Sequence, residues 1–230
     1  MKTIYLINPG SGKGFSEDAR LESFAFLKGK TKSLDFLISQ SQRHLVELTR
    51  KALFEGYEQI VAVGGDGTLN IIANAFFENG KLINPKAILI VTLAGTGADY
   101  FKTVTQIRKP QRWEDLVAKN NPCEVDMGEI FYEDGSTRLF LNMADVGMTP
   151  HVVKKKEANP NWLPSSLSYA LPMVKSFFEF RPPKVSIETE NDKMTSEIIN
   201  ITVAKGAFAG GGMKIGGGVV LAGGTGLAAG

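Results

Sequence analysis

Four short and almost wholly apolar runs punctuate the first half of this chain: Thr3–Ile7, Leu34–Ile38, Ile60–Val63 and Ala87–Val91. A strand with one wet face alternates polar and apolar residues, so continuous runs of this length read as strands covered on both faces. Between them, Phe15–Leu27, Arg43–Phe54 and Leu69–Phe77 carry apolar residues at helical spacing. Strands and helices alternating in this way predict a parallel sheet with right-handed crossovers. Residues 1–122 are therefore expected to form an α/β domain.

The pattern changes near Asn120–Pro122. The segments "CEVDMGEIFYEDGSTRLFLNMADVGM" and "PKVSIETENDKMTSEIINITVAKG" each hold two strand-like runs around a turn signal, Asp134-Gly135 in the first and Asn191-Asp192 in the second. Successive hairpins predict an antiparallel, sandwich-like β domain over residues 123–230. Between the hairpins, Leu167, Ala170, Leu171, Val174, Phe177 and Phe178 share one helical face after Pro164, with Pro172 inside that helix. The glycine-rich end, "GGGVVLAGGTGLAAG", reads as loop or tail.

Composition narrows the function classes. A net charge of +2 over 230 residues gives no electrostatic footprint for nucleic acid. The single Cys123 excludes an internal disulfide and any multi-cysteine metal site, which suits a reducing cytosol. His44 and His151 have no ligand cluster around them. The opening "MKTIYLINPG" is too short for a signal peptide and reads as a first strand. No apolar run approaches the ~18 residues of a membrane span. The expected locale is the cytoplasm, with a membrane surface within reach. The run Lys154–Lys156 near Trp162 could touch anionic headgroups, although a solvated loop explains it as well. Oligomeric state stays open, a homodimer among the options.

Chemistry is concentrated in three polar, glycine-bearing turns that follow strands: "NPGSGKG", "GGDGT" and "AGTGAD". In a parallel sheet all strand C-termini share one edge, where ligands bind. Backbone N–H groups in such turns, with the partial positive charge of a helix N-terminus, favour anions. Three on one edge point to a phosphate-bearing ligand. The P-loop pattern fails, because Ile7 stands where its first glycine belongs and Gly14 follows Lys13. The dinucleotide pattern fails at Phe15. Asp66, in the middle turn, poses the sharpest question. A bare carboxylate ~4 Å from a phosphate charge is opposed by about 4 kcal/mol at an effective dielectric of 20. Such an acid belongs there if Mg²⁺ bridges the two, or if it takes a proton from an attacking hydroxyl. The plain alternative is a cap on its own helix, from Gly67 onward. Asp99 allows the same two readings.

The ordered set "INPGSGKG", "VAVGGDGTLNIIANAF", "LAGTGADYF", "VDMGEI", "LNMADVGM" and "AFAGGGMKI" resembles the diacylglycerol kinase catalytic domain family, which includes bacterial lipid kinases and sphingosine and ceramide kinases. The likeness runs from Ile4 to about Ile215. It implies an α/β domain of the NAD kinase and diacylglycerol kinase type, followed by the antiparallel β domain. It also implies an ATP- and Mg²⁺-dependent transfer of the γ-phosphoryl group to a lipid hydroxyl, such as that of diacylglycerol, within phospholipid biosynthesis. On this resemblance Asp66 is the catalytic residue, and Asp66 and Asp99 are candidate Mg²⁺ ligands. Gly64, Gly65, Asp66, Gly67, Thr68, Leu69 and Asn70 wrap the phosphates. Asn8, Ser11 and Lys13 shape the first loop, Ser39 matches a hydroxyl that touches nucleotide, and Gly95, Thr96 and Gly97 form the third turn. Asp126 matches an acid that relatives place in a polar network.

The chain departs from the pattern at Leu93, Ala98 and Tyr100, where the family has Pro, Asn and Phe, and at Lys205, where it has Asn. The resemblance also implies a further acid in a C-terminal segment, and "GGGVVLAGGTGLAAG" has none. An incomplete β domain and a catalytically incomplete, nucleotide-binding or regulatory relative form the alternative to an active lipid kinase. An NAD kinase is the weaker rival, since no Asn-Glu pair for a ribose stands in a fitting place after "GGDGT".

Overall fold

The first sheet is built outward from its two most apolar strands. β1 (Thr3–Ile7) and β3 (Gln59–Val63) lie side by side at the centre of a four-stranded parallel sheet, flanked by β2 (Asp35–Ile38) and β6 (Ile88–Val91). The computed structural model describes residues 1–10, 35–92, 99–108, 122–148, 179–209 and 213–214. In register, Tyr5 faces both Phe36 and Val61, and Ile7 faces both Ile38 and Val63. Alternate residues of the central strands feed two clusters. Ile4, Leu6, Ile60 and Ala62 pack with Leu45, Leu53, Leu69 and Ile72. Tyr5, Ile7, Val61 and Val63 pack with Ile90 and Phe101. Both faces of β1 and β3 are thus buried, which is why their sequences do not alternate.

The helices start where local chemistry permits. α1 (Gln42–Phe54) begins at Ser41, whose hydroxyl accepts the His44 N–H at 3.1 Å. α2 (Asp66–Ala75) and α3 (Asp99–Arg108) follow β3 and β6 in the chain. α2 starts three residues earlier than the apolar spacing predicts and ends two residues earlier, so Phe77 is not helical. Instead Phe77–Glu78 (β4) and Lys81–Leu82 (β5) pair antiparallel around Asn79 and Gly80, whose φ values are +50° and +73°. Asn-Gly is the dipeptide that such a turn demands.

The later strands pair antiparallel, as expected. β7 (Gly128–Phe131) and β8 (Thr137–Phe140) form a hairpin whose turn holds Gly135 at φ +81° and the Ser136 N–H on the Asp134 carboxylate. β10 (Lys184–Glu188) and β11 (Lys193–Glu197) close around Asn191-Asp192. Each of the two segments also yields a third strand, β9 (Met143–Gly147) and β12 (Asn200–Ala204), and these two pair with each other. Phe208–Ala209 (β13) pairs with Met213–Lys214 (β14). By contact, the described residues form two compact units. One comprises Met1–Asn142 with the described residues from Lys205 on, and the other those of Met143–Ala204. The division expected at residue 122 follows strand type, and contact draws a different line. The helices expected over Phe15–Leu27 and through Leu167–Phe178, and the glycine-rich end, lie outside the described residues.

Leu6 is fully buried, whereas Phe131 is 75% exposed. Leu6→Ala should cost about 2–5 kcal/mol in urea unfolding, and Phe131→Ala less than about 0.5 kcal/mol. Equal losses would mean that β1 is not the centre of the core.

Candidate functional site

In the order β2-β1-β3-β6, the chain leaves β1 for one neighbour and later returns to occupy the other side. The connections after β1 and β3 therefore leave in opposite directions, and in open α/β sheets ligands bind at such a switch point. Asn8 and Gly64 are the first residues past those ends. The Asn8 N–H donates to Val63 O at 3.0 Å, and its Nδ2 donates to Thr68 Oγ1 at 2.7 Å. Its Oδ1 accepts the Gly10 N–H at 2.9 Å. One side chain thus ties the first loop to the first turn of α2. Thr68 is buried, and a Cβ on Gly64 would overlap its side chain, so packing alone requires that glycine.

Asp66 does not cap its own helix. Its Oδ2 accepts the Asp99 N–H and its Oδ1 accepts the Tyr100 N–H, each at 3.0 Å. Both are first-turn donors of α3, which an α-helix leaves without internal acceptors. Asp66 also lies in the first turn of α2, whose N-cap Gly65 supplies no side-chain bond. One carboxylate therefore serves the positive ends of two helices. The plain expectation of a cap on α2 is corrected accordingly: the bonds run to the neighbouring helix.

Among the described residues, nothing requires Gly67 to be glycine. Its φ lies outside the left-handed region, and a Cβ there would meet nothing within 4 Å. A helical glycine costs roughly 0.5–1 kcal/mol relative to alanine. An open face beside a helix N-terminus without a side-chain cap is what a close-lying anion would need. One turn on, Asn70 Oδ1 is buried and has no hydrogen-bond partner among the described residues. Leu69 turns into the core, and its N–H serves Gly65 O. Asn74 clamps α2 to β8, with Nδ2 on Leu139 O at 2.8 Å and Oδ1 on the Leu139 N–H at 2.9 Å.

The other expected residues divide into three groups. Ser39 is buried at the end of β2, and its hydroxyl donates to Ile7 O at 3.0 Å. Asp99 is buried and pairs with Lys102 Nζ at 3.4 Å, and Asp126 pairs with Lys205 Nζ at 3.5 Å. Ser11, Lys13, Gly95, Thr96 and Gly97 lie outside the described residues. Two contributors were not singled out in the sequence. Lys102 was readable from its i,i+3 spacing to Asp99. Thr103, whose Oγ1 accepts the Ala207 N–H at 3.1 Å, gave no signal. Tyr100 fills a buried slot with its hydroxyl unpartnered, and burial, with a smaller contribution from Cys123, pushes the phenol far above its ordinary pKa.

The donor set bears on Mg²⁺. Among the described residues no three His, Cys, Asp or Glu side chains cluster to hold a metal. Both oxygens of Asp66 already accept N–H groups, and each retains one lone pair. Such a set fits an ion that arrives on phosphate oxygens and needs only one or two carboxylates, not a cage built wholly by protein.

Comparison with known proteins gives a consistent result. The model of the "Diacylglycerol kinase catalytic domain" family matches residues 2–130. A "probable lipid kinase YegS-like" protein of Pseudomonas fluorescens (strain Pf0-1) is 28% identical over 166 residues, covering 72% of this chain and 51% of that protein. A protein of the same description from Klebsiella pneumoniae (strain 342) is 24% identical, with 89% of this chain and 66% of that protein covered. The chain thus spans between about half and two thirds of the length of these relatives. The crystal structure of a diacylglycerol kinase from Bacillus anthracis str. Sterne superimposes with a TM-score of 0.60 at 20% identity, over 96% of this chain and 70% of that one. That likeness shows the fold.

Two substitutions test the site's construction. Gly67→Ala should leave stability unchanged or raise it by up to about 1 kcal/mol, while weakening inorganic triphosphate binding at least about tenfold. Lost stability with intact anion affinity would assign Gly67 to the fold. Tyr100→Phe removes a buried orphan hydroxyl and should raise unfolding stability by about 1 kcal/mol. A loss of that size would reveal a partner for the phenol.

Proposed function

We propose that this chain, which belongs to the diacylglycerol kinase catalytic domain family, binds ATP at the switch point past β1 and β3 and phosphorylates a lipid hydroxyl. Lipid kinases are what the family's relatives are named for, and diacylglycerol is the first acceptor to test. The observation that carries the reading is Gly67. It is a glycine required by neither backbone nor packing, on a helix N-terminus without a side-chain cap at the sheet's switch point.

On this reading the segment Gly64–Asn70 wraps the phosphates, with Asn8 fixing the first loop against it and Asn70 Oδ1 accepting from the ligand. Ser39 lines the floor, and Ser11, Lys13, Gly95, Thr96 and Gly97 complete the rim. Bound Mg²⁺, held by nucleotide phosphates with Asp66 and Asp99 as candidate ligands, would offset charge on the transferred group. The lipid hydroxyl oxygen attacks the γ-phosphorus, the bond to the β–γ bridging oxygen breaks, and ADP leaves. Asp66 is the candidate acceptor for the hydroxyl proton. Positioning and charge neutralisation supply most of the acceleration in such transfers. The acceptor is met at a membrane surface from the cytoplasmic side. No helix among the described residues is long and apolar enough to cross a membrane.

A second reading is favoured by one observation. Both oxygens of Asp66 are engaged by N–H donors, as suits a nucleotide-binding relative in which the acid is purely positional.

Labelled ATP, Mg²⁺ and mixed micelles of diacylglycerol, a sphingoid base or phosphatidylglycerol separate the two. The kinase reading expects label in one lipid, reduced about a hundredfold or more by Asp66→Asn. ATP binding with no labelled lipid would select the non-catalytic reading.

A further inference from the structure

We infer that Lys205 is a phosphate-binding residue of this site, held in reserve by Asp126. This rests on the nucleotide reading above and adds a residue to it.

The Lys205 ammonium lies 3.5 Å from Asp126 Oδ2, with side-chain exposures of 18% for the lysine and 45% for the acid. The cation is the more enclosed partner, yet a flexible, strongly hydrated ammonium is the group that burial penalises. Its backbone is firmly anchored. The Lys205 and Gly206 N–H groups both donate to Asn142 O, at 2.8 and 2.9 Å. Gly206 fits so closely against Asn142 that a Cβ would collide with its Oδ1. The next residue, Ala207, donates to Thr103 Oγ1, which itself bonds Asp99 O at 3.3 Å. The Asp99 N–H is the one Asp66 accepts. A short hydrogen-bonded path within one compact unit therefore fixes the base of Lys205 to the helix start that Asp66 holds.

From that base, a polyphosphate at the N-terminus of α2 and the half-exposed Asp126 compete for one ammonium. The two partners then act on anion affinity with opposite signs. A unit charge gained or lost about 10 Å from a phosphate charge changes affinity by roughly tenfold at an effective dielectric of 20. A purely structural ion pair would behave differently, since removing either partner would cost stability and leave affinity alone or lower it both times.

Titration of the full chain with MgATP and with inorganic triphosphate, by calorimetry, tests this. Lys205→Met should weaken both ligands about tenfold, and Asp126→Asn should tighten both by several-fold. Lys205→Arg, which keeps the charge, should stay close to wild type. The differences should shrink as salt rises. Affinity unchanged in both neutral variants, or lowered in both, overturns the assignment while wild-type ATP binding leaves the nucleotide reading standing. Wild type that binds neither ligand overturns both. If Lys205→Met fails to fold, Asp126→Asn still decides, because its expected gain has no structural explanation.

Discussion

A single carboxylate shared between two helix starts holds this site together. Asp66 sits in the first turn of α2 and accepts two N–H groups from the first turn of α3. Each helix start carries about half a positive charge. Two such ends brought to one sheet edge would repel, and their leading donors would go unmet. Hydrogen bonds to a charged acceptor contribute about 1.5–3 kcal/mol each, so the acid turns a repulsive arrangement into a bonded one. Any catalytic use of Asp66 is superimposed on this. Loss of activity on changing it therefore reports geometry and chemistry together, and only a companion stability measurement separates them.

The same turn shows glycine used for two unrelated reasons within four positions. Gly64 yields its Cβ space to Thr68, whose hydroxyl carries the tie from Asn8 and so joins the loops on either side of the switch point. Gly67 yields space to nothing among the described residues. Packing explains the first and not the second, although the two are indistinguishable as letters. The sheet order separates the connections that leave β1 and β3, and the Asn8–Thr68 bond ties their starts together.

What the sequence displayed was mostly local. Continuous apolar runs located the four parallel strands within a residue or so; burial on both faces explains this for β1 and β3, whereas the edge strand β2 is exposed at Asp35 and Phe36. Asp134-Gly135 and Asn191-Asp192 marked two hairpins by turn chemistry. Asn79-Gly80 carried the same signal and lost to the apolar spacing through Phe76 and Phe77, which prolonged the predicted helix. The pairing of β9 with β12 lay beyond reach, since strands so far apart are matched by packing and not by any neighbouring residue. The site shows the same split. Its glycines and acids stood out, but the roles that suggest themselves for Asp66 are a Mg²⁺ bridge, a proton acceptor or a cap on its own helix, and none of these names the neighbouring helix. The true partners are the backbone groups of residues 99 and 100, and a backbone N–H has no letter to read.

Charge balance around the switch point follows from those distant pairings. Three acids would, if bare, repel a polyphosphate by several kcal/mol at close range. Each meets a donor of the chain itself: Asp66 the α3 N–H groups, Asp99 the Lys102 ammonium, and Asp126 the Lys205 ammonium. The repulsion that made an acid in a phosphate turn puzzling is thus largely offset before any ligand arrives. Among the described residues the donor set is too sparse to hold a divalent ion alone. Two of the three compensating groups are lysine side chains, whereas the donors on Asp66 are backbone and cannot move without α3. The link through Asp66 is therefore the rigid one, and it is the link that holds two helix starts in place.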